Sequence, residues 1–149
     1  MSARGQEVPS LAESASSHPP FRLPSSGPEP LQELHASLVR VLDSNAGTPL
    51  TVTCIVDIMN LIGKCIVAGN VRRTAEIAFG DPDSQEYVQL KNYDVNPQRQ
   101  DYGWTSNNSV FAQLGMDYSR VCEQVKTNGE PGFAWLQNMQ VRASLLPCS

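Results

Sequence analysis

The sequence predicts an α/β unit built on a parallel sheet, and three observations carry that prediction. Apolar residues recur at three- and four-residue steps in two stretches ahead of residue 70. Residues 74–79 alternate, and residues 103–111 form a second strand-like run. The elements then follow in the order helix, strand, helix, strand, helix, which favours parallel pairing. Two strands are too few to complete such a sheet, so the chain has the character of a section of something larger.

The elements follow from local chemistry. Residues 1–30 hold six prolines and seven serines with few large apolar side chains. They cannot bury enough surface to offset the entropy of ordering, so residues 1–26 are expected to be a disordered tail. Pro28 and Pro30 suit the start of a first helix, where amide donors are orphaned anyway. Leu31, Leu34, Leu38, Val41 and Leu42 make its apolar face, and Gly47 ends it. His35 borders that face as a packing residue. Thr51 or Thr53 caps a second helix. Its expected inward stripe is Ile55, Ile58, Met59, Ile62 and Ile66, with Cys54 and Cys65 as small buried apolar residues.

Gly69 and Asn70 tolerate the left-handed backbone that exits a helix. In residues 74–79, Ala75, Ile77 and Phe79 share one face and Thr74, Glu76 and Ala78 the other. Asp81, Pro82, Asp83 and Ser84 make a turn and a helix start, leading to a short helix through Tyr87, Val88 and Leu90. Residues 92–102 are polar and irregular. A third helix starts at Asp117 or Ser119 and carries Tyr118, Val121, Cys122 and Val125. Residues 127–132 break it, and Phe133, Trp135, Leu136 and Met139 open a last apolar piece.

Composition excludes several classes. The chain has 149 residues, 40% hydrophobic and 17% charged, ordinary for a globular core. A net charge of −4 argues against a general nucleic-acid or membrane-surface binder. The four cysteines, Cys54, Cys65, Cys122 and Cys148, show no CxxC and no metal-ligand spacing. They are expected to be free thiols in a reducing, cytoplasmic compartment. No secretory signal is visible at the start of this sequence, and no apolar run approaches membrane length.

Residues 57–80, DIMNLIGKCIVAGNVRRTAEIAFG, are the centre of the functional argument. A helix and a strand hold a loop with two adjacent arginines, Arg72 and Arg73. A guanidinium fork matches phosphate or a base edge, and adjacent arginines can face a ligand on either side of the loop. The alternative is a solvated pair bridging Glu76 or Asp81. Thr105, Ser106, Asn107, Asn108 and Ser109 offer donors and acceptors for a polar pocket; the alternative is an exposed edge strand. Glu130, between Gly129 and Gly132, is a positioned acid or, more simply, part of a turn. Gly27 and Pro28 ahead of a helix can present amides to an anion. No Ser-His-Asp set, P-loop, HExxH or GxGxxG motif is present. From the residues alone the chain is a nucleotide- or phosphate-binding α/β piece.

Three ordered blocks add to this: DIMNLIGKCIVAGNVRRTAEIAFGDPDS, VQLKNYDVNPQRQDYGWTSNNSV and NGEPGFAWLQNM. Together they resemble the adenosylcobalamin-dependent (class II) ribonucleotide reductases, of the monomeric ribonucleoside-triphosphate reductase type. The resemblance implies that residues 27–140 are part of the family's ten-stranded α/β barrel, and that residues 141–149 diverge from it. Gly69, Asn70, Val71, Arg72, Arg73 and Thr74 would be the specificity loop between a deoxynucleotide effector and the substrate base. Ser26 and Gly27 would belong to the neighbouring effector loop. Ser106, Asn107, Asn108 and Ser109 would face the nucleotide region.

The family's chemistry opens the cobalt–carbon bond of adenosylcobalamin to make a thiyl radical on a cysteine, which takes the ribose 3′ hydrogen. A cysteine pair, recharged by a dithiol such as thioredoxin, then reduces the 2′ position. Here the chain departs from the pattern. The first cysteine of the redox pair and the Asn-Pro-Cys-x-Glu motif of the thiyl cysteine fall outside the matching region, and so does the cobalamin site. Leu146, Pro147, Cys148 and Ser149 lack the motif's Asn and Glu. The implied partners are a ribonucleoside triphosphate and a deoxynucleoside triphosphate, with no DNA, RNA or membrane. The expectation is a reductase segment with no catalytic or metal residue of its own and no turnover alone. A regulatory nucleotide-binding module and an inert product are the alternatives.

Overall fold

The computed structural model describes residues 27–69 and 73–144; the expected tail, Asn70, Val71, Arg72 and Cys148 lie outside them. Helices α1 (Glu29–Ser44) and α2 (Val52–Val67) come first. Strand β1 (Glu76–Gly80) and the short α3 (Gln85–Val88) follow. Two 3-10 turns, Pro97–Asp101 and Gly103–Thr105, lead into β2 (Ser106–Phe111). Helix α4 (Ser119–Asn128), β3 (Gly132–Ala134) and α5 (Leu136–Ser144) complete the described chain. None of these helices is long and apolar enough to cross a membrane.

The sheet is parallel, in the order β1-β2-β3. Glu76 stands opposite Ser106 and Gly80 opposite Val110, while Ser109 stands opposite Gly132. The sequence thus holds the expected α/β character, with a third strand where only an apolar piece was expected. Residues 103–105 wind as a 3-10 turn rather than opening the second strand, because the Thr105 amide turns back onto the Tyr102 carbonyl at 3.2 Å.

Helix starts follow the expected chemistry. The Pro28 carbonyl accepts the amides of Leu31 and Gln32, both at 3.1 Å. The Thr51 hydroxyl accepts the Cys54 amide at 3.1 Å. Glu86 of α3 adds a second cap, accepting the Thr53 amide at 2.8 Å. That bond holds the Glu86 carboxyl below its ordinary value of 4.5. A lowered pKa gives stability that is full above the ordinary value and lost as pH falls through the folded one. Glu86→Gln is therefore expected to lower the melting temperature by about 2 °C near neutrality, a small effect for so exposed a group. The difference should close in melts run well below pH 4.5.

The core gathers Val56, Tyr87, Val88, Leu90, Val110 and Val121, with Ala78 and Val125 against it. Tyr87 works as a wedge between two strands. Its hydroxyl lies 2.6 Å from the Ala78 carbonyl and 2.9 Å from that of Ser109, and accepts the Ser109 amide at 3.2 Å. Burial pushes the phenol up to about 12. The ring lies flat over Gly80, where an added Cβ would stand 2.3 Å from Tyr87 Cγ.

Two faces differ from expectation. Met59 is not core filler: Ile55, Met59 and Ile66 are 51%, 50% and 39% exposed, and α2 turns Cys54, Val56, Asp57, Asn60, Leu61 and Gly63 inward. On β1 the covered positions are Glu76, Ala78 and Gly80, while Ile77 and Phe79 face out. Ile55, Met59, Ile77 and Phe79 share a groove of about 440 Å³. In α1, Leu31, Leu42 and His35 are exposed, and Leu34, Leu38 and Val41 are half-buried. The physical reason is that hydrogen-bond partners elsewhere in the chain draw the polar residues of α2 and β1 inward.

Candidate functional site

The site is the join between α2 and β1, and it is framed by buried polar groups. Helix α2 closes at Val67, and the chain returns at Arg73, Thr74 and Ala75 to enter β1. Arg73 is exposed; Gly69 and Thr74 are half-buried. Asn60 of α2 donates from Nδ2 to Oε2 of Glu76, the first residue of β1, at 3.2 Å. Its Oδ1 accepts from Arg99 Nη2 at 3.2 Å. Arg99 is fully buried, and its Nη1 donates to Asp57 Oδ1 in an ion pair. Thr105 Oγ1 donates to the Asn60 carbonyl at 3.1 Å. One turn on from Asn60, a Cβ at Gly63 would stand 2.3 Å from Glu76 Oε1, so the strand's first carboxylate lies flush against the helix.

Electrostatics follow from this burial. Loss of water raises the Asp57 carboxyl above its ordinary range, with Arg99 pulling against the rise. The Tyr102 phenol is pushed up to about 12, first by burial and then by the Asp57 charge beside it. Its ring lies 5.8 Å from Arg99 Cζ. At the surface, Lys64 bridges Glu33 of α1 and Asp101, each at 2.7 Å. Helix α1, helix α2 and the turn carrying Arg99 are thus joined on both flanks.

Other expected site residues fall into place around this frame. Gly27, with φ +68°, precedes α1. Pro30 of α1 lines a shared depression with Leu61, Lys64, Cys65 and Ala68, so the start of α1 and the end of α2 lie together. Ser26, Asn70, Val71 and Arg72 lie outside the described residues. On the strand, Ser106 and Asn108 are buried, Asn107 is exposed and Ser109 is half-buried. Ser106 Oγ donates to Asn108 Oδ1 at 2.9 Å. Glu130 sits in the expected turn, yet its carboxylate is engaged: it accepts the Asn108 amide at 3.0 Å and pairs with Lys91 at 2.9 Å. Lys91 Nζ also donates to the Ser106 carbonyl.

Asp57, Asn60, Glu76 and Arg99 were missed as site-building residues. A signal existed for two of them: Asp57 and Asn60 stand three apart in a mostly apolar helix, which places both on one face. Arg99, in a polar irregular stretch, carried none.

The described residues form a parallel α/β piece in which the exposed Arg73 stands between a helix and a strand. Among curated proteins, the adenosylcobalamin-dependent ribonucleoside-triphosphate reductase of Euglena gracilis is 64% identical over 116 residues, which is 78% of this chain and 16% of that protein. The probable enzyme of that name from Dictyostelium discoideum is 61% identical over 121 residues, 81% of this chain and 16% of that protein. The enzyme of that name from Lactobacillus leichmannii is 40% identical over 110 residues, 73% of this chain and 15% of that protein. By sequence, then, the chain is a relative of the adenosylcobalamin-dependent ribonucleoside-triphosphate reductases and corresponds to one segment of them. It spans about 16% of the length of the first two of these relatives. No family model and no solved structure matches it.

Proposed function

We propose that this chain is the segment of an adenosylcobalamin-dependent ribonucleoside-triphosphate reductase that carries the specificity loop: Gly69, Asn70, Val71, Arg72, Arg73 and Thr74. The observation that carries the proposal is the 64% identity over 116 residues. The shared depression of Pro30 and Ala68 supports an effector deoxynucleotide on one side, held with Ser26 and Gly27. The groove that holds Ala75, Glu76 and Ser106 supports a substrate base on the other, near Asn107, Asn108 and Ser109. The arginines supply charge to both, and base choice is relayed through the loop.

The ten-stranded barrel is the larger body into which residues 27–140 fit. Parallel sheets are normally covered on both faces. Here Ile77 and Phe79 are 57% and 41% exposed, which supports further structure on that face. A cytoplasmic setting accords with the free thiols of Cys54, Cys65 and Cys122.

Adenosylcobalamin is the cofactor in the relatives' names, and it supplies the radical. No group of three or more His, Cys, Asp or Glu among the described residues fits a metal ion. Radical chemistry, the redox cysteines and the dithiol reductant belong to other parts of the longer protein.

Calorimetry of the 149-residue chain with each deoxynucleoside triphosphate tests this. Saturable binding is expected, weakened at least about tenfold in Arg72→Ala with Arg73→Ala. No turnover is expected with ribonucleoside triphosphate, adenosylcobalamin and dithiol. Absence of binding by the wild type would leave an inert segment, and turnover would place catalytic groups in this chain.

A further inference from the structure

Strand β1 is an outer strand of the described sheet, and among the described residues its second edge pairs with nothing. Exposure alternates along it. Arg73, Ala75, Ile77, Phe79 and Asp81 are exposed, while Thr74, Glu76, Ala78 and Gly80 between them are half-buried. The outer row therefore reads cation, small, apolar, apolar, anion. Phe79 stacks on Phe111 of β2 with ring centroids 5.8 Å apart, yet both it and Ile77 stay exposed. Residues 75–79 also make one wall of the groove of about 440 Å³ that Ile55 and Met59 of α2 close on the other side. The charges at the two ends of the row are unspent: among the described residues, no ion pair includes Arg73 or Asp81.

A free strand edge binds extended chain, and the side chains beside it select which chain and in which direction. A parallel copy of β1 would put Arg73 beside Arg73 and Asp81 beside Asp81, and like charges opposed in a sheet are unfavourable. An antiparallel copy reverses the row. With Ile77 opposite Ile77, Arg73 of each copy stands opposite Asp81 of the other, and Ala75 stands opposite Phe79, small against large. On the inward row the same register opposes Glu76 to Ala78 and Thr74 to Gly80, so no two charges of one sign meet. We propose that the β1 edge is an interaction surface for a second copy of this chain, paired antiparallel about Ile77. The contact is isologous: each copy offers the same edge, so pairing closes as a two-fold dimer and joins the two three-stranded sheets into one. It does not rest on the reading of the specificity loop, and no nucleotide takes part in it.

Exchange of the two charges gives the test. Sedimentation equilibrium of the 149-residue chain, at low salt and without nucleotide, should show a monomer–dimer equilibrium. Arg73→Asp sets two carboxylates against each other at both ends of the pairing and is expected to weaken the dimer about tenfold. Asp81→Arg opposes two guanidinium groups and should do the same. Mixed together, the two single variants have complementary ends again, so a mixed dimer should form at close to wild-type strength. A chain carrying both changes should pair with itself as the wild type does. Ile77→Lys places two ammonium groups on the two-fold axis and should abolish the dimer, with the fold kept by circular dichroism because the position is exposed. Asp81→Arg also removes a bond that its carboxylate accepts from the Asp83 amide at 2.9 Å; if that variant does not fold, Arg73→Asp and Ile77→Lys decide. A wild type that stays monomeric at every accessible concentration overturns the proposal. So does a dimer that Arg73→Asp and Ile77→Lys leave intact, open-ended association in place of a dimer, or folded single variants that do not recover on mixing.

Discussion

Arg99→Met is expected to cost the fold about 3–5 kcal/mol, read as a lowered urea midpoint at unchanged slope. The methionine fills much of the space but supplies no charge. Asp57 is then left buried without its cation, and Asn60 Oδ1 without its donor. A small domain has only about 5–15 kcal/mol in hand, so the loss takes a large share of it. The pH dependence has a definite sign. Asp57 already titrates above its ordinary range through burial, and loss of Arg99 raises it further. A raised carboxylate pKa means the folded state holds the proton more tightly, so folding gains as pH falls through that pKa. The gap between wild type and Arg99→Met should therefore narrow on acidification from neutrality. A second change, Asp57→Leu in the Arg99→Met chain, should recover part of the loss, since no charge is then stranded. A midpoint within error of wild type would show that Arg99 does not hold this core together.

Gly80→Ala should be nearly as damaging, at about 3 kcal/mol, the upper end for an overpacked core. The added methyl would meet the Tyr87 ring at 2.3 to 2.5 Å. The ring cannot withdraw cheaply, because its hydroxyl is tied to the backbone of both β1 and β2. The clash belongs to the pair, so the double change Gly80→Ala with Tyr87→Leu should cost clearly less than the sum of the two single changes. Thermal melts of the four proteins decide it. Simple additivity would mean that Gly80 is needed for some reason other than the ring above it.

Much of the fold was legible because helix caps and periodicity are local. Thr51 caps α2 where a threonine before an apolar run should, and Gly129, at φ +79°, closes α4. The direction in which α2 faces was not legible. Periodicity assumes that the apolar side of a helix is the inner one. In α2 the inner side carries Asp57 and Asn60, and what draws it inward is Arg99, about forty residues away along the chain. The same holds for β1, where Glu76 faces in through Asn60 while Ile77 faces out. Of the candidate site, the loop and its arginines were visible as a break between two patterned stretches. The frame was not, since a buried polar network leaves no hydrophobic period to find. The strand at residues 103–111 was placed correctly in its later part. The turn at Gly103–Thr105 depends on a local amide bond that composition does not announce.

Strand β1 has one side unpaired among the described residues, and Ile77 and Phe79 stand exposed beside it. Such an edge takes up whatever extended segment reaches it first. In a long polypeptide that segment is the chain's own, because a short tether holds it at an effective concentration in the millimolar range. Where no such segment is tethered nearby, the next strand has to come from another molecule, at whatever concentration the solution provides. The same surface then closes a sheet in one setting and seeds association in the other. The side chains are identical in both; the length of the tether decides between them.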